Sequence, residues 1–181
     1  MYWGIKLNRL IILLAVFLLL TLGSGIGAAA EIYVQPGDSI QTALDNATSG
    51  DIIILKPGTY TENIKITKDN LLIGSESGNP DDTIITAKNS NNHVIALQAN
   101  NVKINGLGIT GTKESYTGIY LSGCNNCIIE NNKILNNSYG IYLLNSKGNT
   151  LSGNIVSSNG IYGLFVCPES DDNLIYNNYF W

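Results

Sequence analysis

The chemistry-bearing side chains of this 181-residue chain are few and scattered. Cys124-Asn125-Asn126-Cys127 has the spacing of a thiolate metal pair or of a disulfide across a turn, and Cys167 stands apart. Copper favours Cys, Met and His donors. His93 is the only histidine and Met1 the only methionine, so copper is not expected. Two acidic stretches offer clustered oxygens of the kind calcium accepts. One is Asn79-Pro80-Asp81-Asp82; the other contains Asp171 and Asp172 within Glu169-Ser170-Asp171-Asp172-Asn173. Neither has a known loop spacing, and no cofactor besides calcium is in view. Lys65, Lys68, Lys103 and Lys133 are spread along the chain without a shared motif and read as solvated charges. Tyr120 and Tyr142 occupy equivalent settings 22 residues apart, and their rings and hydroxyls suit a sugar ligand. Asn46-Ala47-Thr48 and Asn136-Asn137-Ser138 are glycosylation sequons.

What must position these residues is a repeat. Gly118-Ile119-Tyr120-Leu121 returns as Gly140-Ile141-Tyr142-Leu143 and, loosely, as Gly163-Leu164-Phe165-Val166. A second block keeps step. Ile104-Asn105-Gly106-Leu107-Gly108-Ile109 corresponds to the stretches beginning at Ile129, Leu151 and Ile175, at steps of 25, 22 and 24 residues. Apolar residues alternate within each copy, which is strand periodicity, and Asn, Gly and Ser break the runs. A unit of this length without helical pattern fits one coil of three short strands and three turns. The fold class expected is therefore all-β: a right-handed parallel β-helix in which each coil pairs with the one below. Asn132, Asn154 and Asn178 share one repeat position, so stacked amides should form a structural ladder there. At the start, Asp38-Ser39-Ile40-Gln41 reads as a capping box with Asp38 as N-cap, opening a short helix that covers the bottom of the stack. Lys56-Pro57-Gly58 reads as a turn, with Glu62 in solvent.

Residues 1–30 read as a separate segment. Lys6 and Arg9 precede the apolar run Leu10–Leu20, and Ala28-Ala29-Ala30 fits cleavage after Ala30. The run is short for a membrane span, so a signal peptide is expected, with residues 31–181 as one β-helix domain. Membrane contact would arise only through an uncleaved leader. Loss of Lys6 and Arg9 moves the formal charge from −4 to −6 and removes the only arginine. Such a surface excludes nucleic acid as a natural partner. The last coil carries no capping helix, so a shortened array and self-association at its open C-terminal end are both expected.

These residues resemble a known group. Gly50-Asp51-Ile52-Ile53-Ile54-Leu55-Lys56-Pro57-Gly58-Thr59-Tyr60 is similar to the opening of pectin-lyase-like β-helix proteins. The GIYL, IENN and LSGN elements from Asn100 onward resemble the NosD-type, periplasmic copper-binding repeat family of archaeal and bacterial surface proteins. The resemblance implies the fold over nearly all of residues 31–181. Gly58-Thr59-Tyr60-Thr61-Glu62 also matches a pectin methylesterase pattern, but the paired aspartates and arginine of those enzymes have no counterpart here. The function expected is a non-catalytic exported module, extracellular, periplasmic or on the cell surface, in envelope structure, adhesion or binding of polysaccharide or envelope glycan. The alternatives are a polysaccharide lyase or hydrolase and a copper accessory protein.

Overall fold

The computed structural model describes residues 29–181. Of the leader read over residues 1–30, residues 1–28 lie outside the described residues. Alternating apolar residues build short strands, and each coil contributes one strand to each of three parallel sheets. Sheet 1 stacks β1 (Glu31–Val34), β2 (Ile52–Leu55), β5 (Leu72–Ser75), β8 (Lys103–Asn105), β11 (Ile128–Glu130), β14 (Thr150–Ser152) and β17 (Leu174–Tyr176). Sheet 2 stacks β3 (Gly58–Thr61), β6 (Thr83–Thr86), β9 (Gly108–Thr110), β12 (Lys133–Leu135), β15 (Ile155–Ser157) and β18 (Tyr179–Phe180). Sheet 3 stacks β4 (Ile64–Ile66), β7 (Ile95–Leu97), β10 (Thr117–Ser122), β13 (Tyr139–Leu144) and β16 (Tyr162–Val166). The chain is thus a right-handed parallel β-helix of about six coils.

The inward residues form continuous columns. Ile53, Ile73, Ile104, Ile129 and Leu151 align in sheet 1. Ile64, Ile95, Ile119 and Ile141 do so in sheet 3. All are buried, at about 1.5–3 kcal/mol of favourable transfer per side chain. A one-residue slip would turn a whole strand inside out, so the apolar pattern fixes the register. The same columns end exposed at the top, where Ile175 lies over Leu151 and Phe180 over Val156.

The corners carry the asparagines. The Asn132 amide N–H and Nδ2 both donate to Asn154 Oδ1, at 3.0 and 3.1 Å, and Asn154 does the same to Asn178 Oδ1. Each Nδ2 also donates to a carbonyl of the coil below, those of Ile104, Ile129 and Leu151. Sequence reading missed two parallel ladders. In one, the Cys127 N–H donates to Asn149 and the Asn149 N–H to Asn173; in the other, the Thr112 N–H donates to Asn137 and the Asn137 N–H to Asn159. A further set, including Asn101, Asn126, Asn136 and Asn145, takes positive φ at turns, a conformation that asparagine tolerates better than other residues with a Cβ.

A short helix, α1 (Ile40–Asn46), covers the bottom with Ile40 and Leu44 buried. Its N-cap is Ser39, whose hydroxyl accepts from the Thr42 N–H, and not Asp38. Asp38 instead accepts from the Gln35 N–H. Glu62 is not idle in solvent: its carboxylate accepts the N–H groups of Ile40 and Gln41, at 2.9 and 3.2 Å. The orphan donors of the helix start are thereby met from the first coil, where local sequence could not reveal it. Gly58 begins strand β3 rather than closing a turn, and the buried Tyr60 hydroxyl donates to the Val34 and Lys56 carbonyls, both at 2.8 Å.

Candidate functional site

The Ile-Tyr-Leu pattern of β10 and β13 puts Ile and Leu inside and the tyrosine outside. Parallel pairing then stacks the outward residues of sheet 3 into one column: Lys65, Ala96, Tyr120, Tyr142 and Phe165, from bottom to top. Tyr139 pairs with Tyr162 beside it. Close approach of the coils depends on Gly140, where a Cβ would stand 2.4 Å from the Gly163 carbonyl oxygen. The result is an unbroken aromatic patch. Ring centroids are 5.5 Å apart for Tyr120–Tyr142, 4.9 Å for Tyr142–Phe165, 5.5 Å for Tyr139–Tyr142 and 5.4 Å for Tyr162–Phe165. The rings are tilted, by 54° for Tyr120–Tyr142 and 32° for Tyr142–Phe165, so part of each face and edge stays open.

At the lower end the column changes. His93 lies flat on Tyr120, with centroids 4.3 Å apart and planes 7° from parallel, and Tyr116 meets the imidazole edge-on at 5.4 Å. The Thr117 N–H donates to His93 Nδ1 at 3.1 Å, which assigns the proton of the neutral ring to Nε2. Burial lowers the His93 pKa, favouring that neutral form. At the other end the Cys167 thiol donates to the Tyr142 hydroxyl at 3.3 Å.

The structure therefore sets Tyr120 and Tyr142 in one patch and adds five rings: His93, Tyr116, Tyr139, Tyr162 and Phe165. The repeat carried a signal for three of them, since Tyr139-Gly140-Ile141-Tyr142 returns as Tyr162-Gly163-Leu164-Phe165. His93 and Tyr116 each end a loop of irregular length, before β7 and β10, where no periodicity marks them.

The acidic candidates have other partners. Asp81 pairs with Lys133. Asp82 accepts from the Ser77 and Thr83 hydroxyls, which lower its pKa. Asp171 pairs with Lys147 at 2.9 Å, and Asp172 is an exposed turn residue at φ 58°. Lys103 is ion-paired with Glu130 at 2.7 Å, and Lys68 donates to the Asp45 and Ala47 carbonyls at the end of α1. Among the described residues, no three or more His, Cys, Asp or Glu side chains group closely enough to hold a metal ion.

The cysteines fit a ladder better than a copper site. Cys124 and Cys127 are wholly buried at positions that the next coil fills with Ser146 and Asn149. Their thiols approach the Leu97 and Ala99 carbonyls at 2.9 and 3.3 Å. Hydrogen bonding between the two thiols lowers the Cys124 pKa and, together with burial, raises that of Cys127. Cys167 lies two coils higher against Tyr142, and His93 is turned to Thr117 and Tyr120. Among the described residues these soft donors do not converge, so they do not fit a copper site.

Comparison with known proteins agrees with the fold. Residues 98–181 match the family described as periplasmic copper-binding protein (NosD). A cell surface glycoprotein of Methanothermus fervidus is 38% identical over 192 aligned residues, covering 85% of this chain and 31% of that protein. The chain thus spans about a third of that relative's length. Among solved structures, an alginate lyase from Paenibacillus sp. str. FPU-7 superposes with a TM-score of 0.75 at 19% identity, covering 84% of this chain and 58% of that one. Pectate lyase Pel9A superposes with a TM-score of 0.60 at 17% identity, covering 85% of this chain and 55% of that one. At such identities these two speak for the fold alone. The class defined is a parallel β-helix. Within it, residues 98–181 are similar to the NosD family, and the chain is similar to part of a cell surface glycoprotein.

Proposed function

We propose that this chain is a non-catalytic surface module that binds polysaccharide along the aromatic face of sheet 3. The observation carrying the reading is the continuous patch of seven rings from His93 to Phe165, on a fold whose other sheet faces lack such a patch among the described residues. Rigid aromatic side chains offer large contact area at little entropic cost, and tyrosine hydroxyls add hydrogen bonds. The coils repeat at about 4.8 Å, so rings rise along the solenoid axis at regular steps that suit an extended polymer. Tyr120, Tyr142 and Phe165 offer contact surface, and the only amine in the column, Lys65, stands two levels below Tyr120. Binding rather than bond cleavage is the chemistry those residues support. The export signal read from residues 1–30 fits the same role.

A glycan array probed with the purified chain tests this, alongside a Tyr142→Ala/Phe165→Ala variant. The reading expects retention of at least one polysaccharide class by the native chain and at least tenfold weaker retention by the variant at unchanged melting temperature. Equal retention by the two proteins would refute it, and so would the absence of any bound glycan.

A further inference from the structure

The outward column of sheet 3 is interrupted at one place. Tyr120, Tyr142 and Phe165 fill successive levels, but the level below Tyr120 holds Ala96. A methyl group there leaves a cavity of about 310 Å3, at the lower end of the range typical of small-ligand sites. Its upper wall includes His93, one face of which is covered by Tyr120. Its lower wall is Lys65, which pairs with Ala96 one level down. Gln98 and Asn92 close the sides.

We infer that this gap is a subsite for a single sugar ring carrying an anionic substituent, a carboxylate, sulfate or phosphate. The inference rests on the polysaccharide-binding reading of the wider face and specifies one position in it. Three features agree. The His93 ring takes the stacking position on Tyr120, and the cavity over Ala96 beside it is large enough for a six-membered ring. The polar groups include the Lys65 ammonium, the His93 Nε2–H left by the Thr117 contact, and the amides of Asn63, Asn92 and Gln98, which can donate as well as accept. Lys65 is exposed and takes part in none of the three ion pairs found among the described residues, while no Asp or Glu lines the cavity. An unpaired cation at the base of a cavity without carboxylates calls for an anionic acceptor.

The test is calorimetric titration of the purified chain with glucuronate, glucose 6-sulfate, glucose 6-phosphate and glucose, with inorganic phosphate as the ring-free anion. At least one anionic sugar should bind ten or more times tighter than glucose and than inorganic phosphate; which one does so identifies the substituent. Lys65→Met should reduce that sugar to the glucose level, and Ala96→Tyr should abolish its binding by filling the gap. Melting temperatures of both variants should match the native chain. Equal affinity for glucose, equal affinity for inorganic phosphate, or no effect of Lys65→Met overturns the inference. Failure here stays distinct from failure of the wider reading. If the array still shows polysaccharide retention that depends on Tyr142 and Phe165 while no anionic sugar binds, the subsite is wrong and the face stands. If an anionic sugar binds through Lys65 but no polysaccharide is retained, the subsite stands alone.

Discussion

Replacing Asn154 with alanine isolates what the corner ladder contributes. Asn154 is wholly buried. Its Oδ1 accepts from the Asn132 backbone and side-chain amides, and its Nδ2 donates to the Ile129 carbonyl and to Asn178 Oδ1, both at 2.8 Å. After truncation the Asn132 side chain still reaches the Ile104 carbonyl, and Asn178 Oδ1 still accepts the residue 154 N–H. The Asn132 N–H loses its partner, while the Ile129 carbonyl keeps its place in the ladder between β11 and β14. At about 1–3 kcal/mol for a buried group left unmet, the expected loss is about 2 kcal/mol. Asn178 occupies the same repeat position on the top coil, but it is only half-buried and its partners there can turn to water. Asn178→Ala should cost about 1 kcal/mol or less. Urea unfolding followed by far-ultraviolet circular dichroism measures both, provided the slope with denaturant is unchanged. A loss below about 1 kcal/mol for Asn154→Ala would refute the ladder as a source of stability. Equal losses at the two positions would refute the dependence on burial.

Three further outcomes follow from the geometry. Glu62→Ala should lower stability by about 1 kcal/mol through loss of the carboxylate that receives the Ile40 and Gln41 amides, readable as a lower melting temperature, whereas a purely solvated Glu62 would give no change. His93 has a depressed folded pKa, so as pH falls the unfolded chain takes up the proton first; its contribution is complete above about pH 6.5 and is lost as pH drops through the lower folded value. Melting curves from about pH 7.5 to 5 should therefore fall less steeply for His93→Gln than for the native chain. Lastly, the exposed Ile175 and Phe180 and the unpaired edges of β16, β17 and β18 should make the 181-residue chain self-associate with concentration, and Ile175→Lys/Phe180→Lys should shift its sedimentation profile toward monomer.

The parallel β-helix, its coil length and its register were legible in sequence because they are set by a period-2 apolar pattern that repeats. Ile104, Ile129, Leu151 and Ile175 align in sheet 1 as the spacing alone requires, since any slip would expose a full column of Ile and Leu. The pairing of Tyr120 with Tyr142 was legible for the same reason. Contacts between coils at non-repeating positions were not. Glu62 reaches back to the start of α1, 22 residues earlier, and Asp81 meets Lys133 across 52 residues. The first separation is one coil length and the second about two, but no repeated residue type marks either contact. The two further asparagine-bearing ladders were hidden because their lowest members are Cys127 and Thr112, which break the residue identity while keeping the hydrogen-bond position. His93 joined the aromatic face through a loop whose length varies between coils, so only the folded chain could stack its ring on Tyr120. Sequence thus determined which residues face inward and which levels they occupy, because burial repeats with the chain. Tertiary structure decided what the outward residues do, because that depends on which side chain stands one coil above, one coil below, or is missing, as at Ala96.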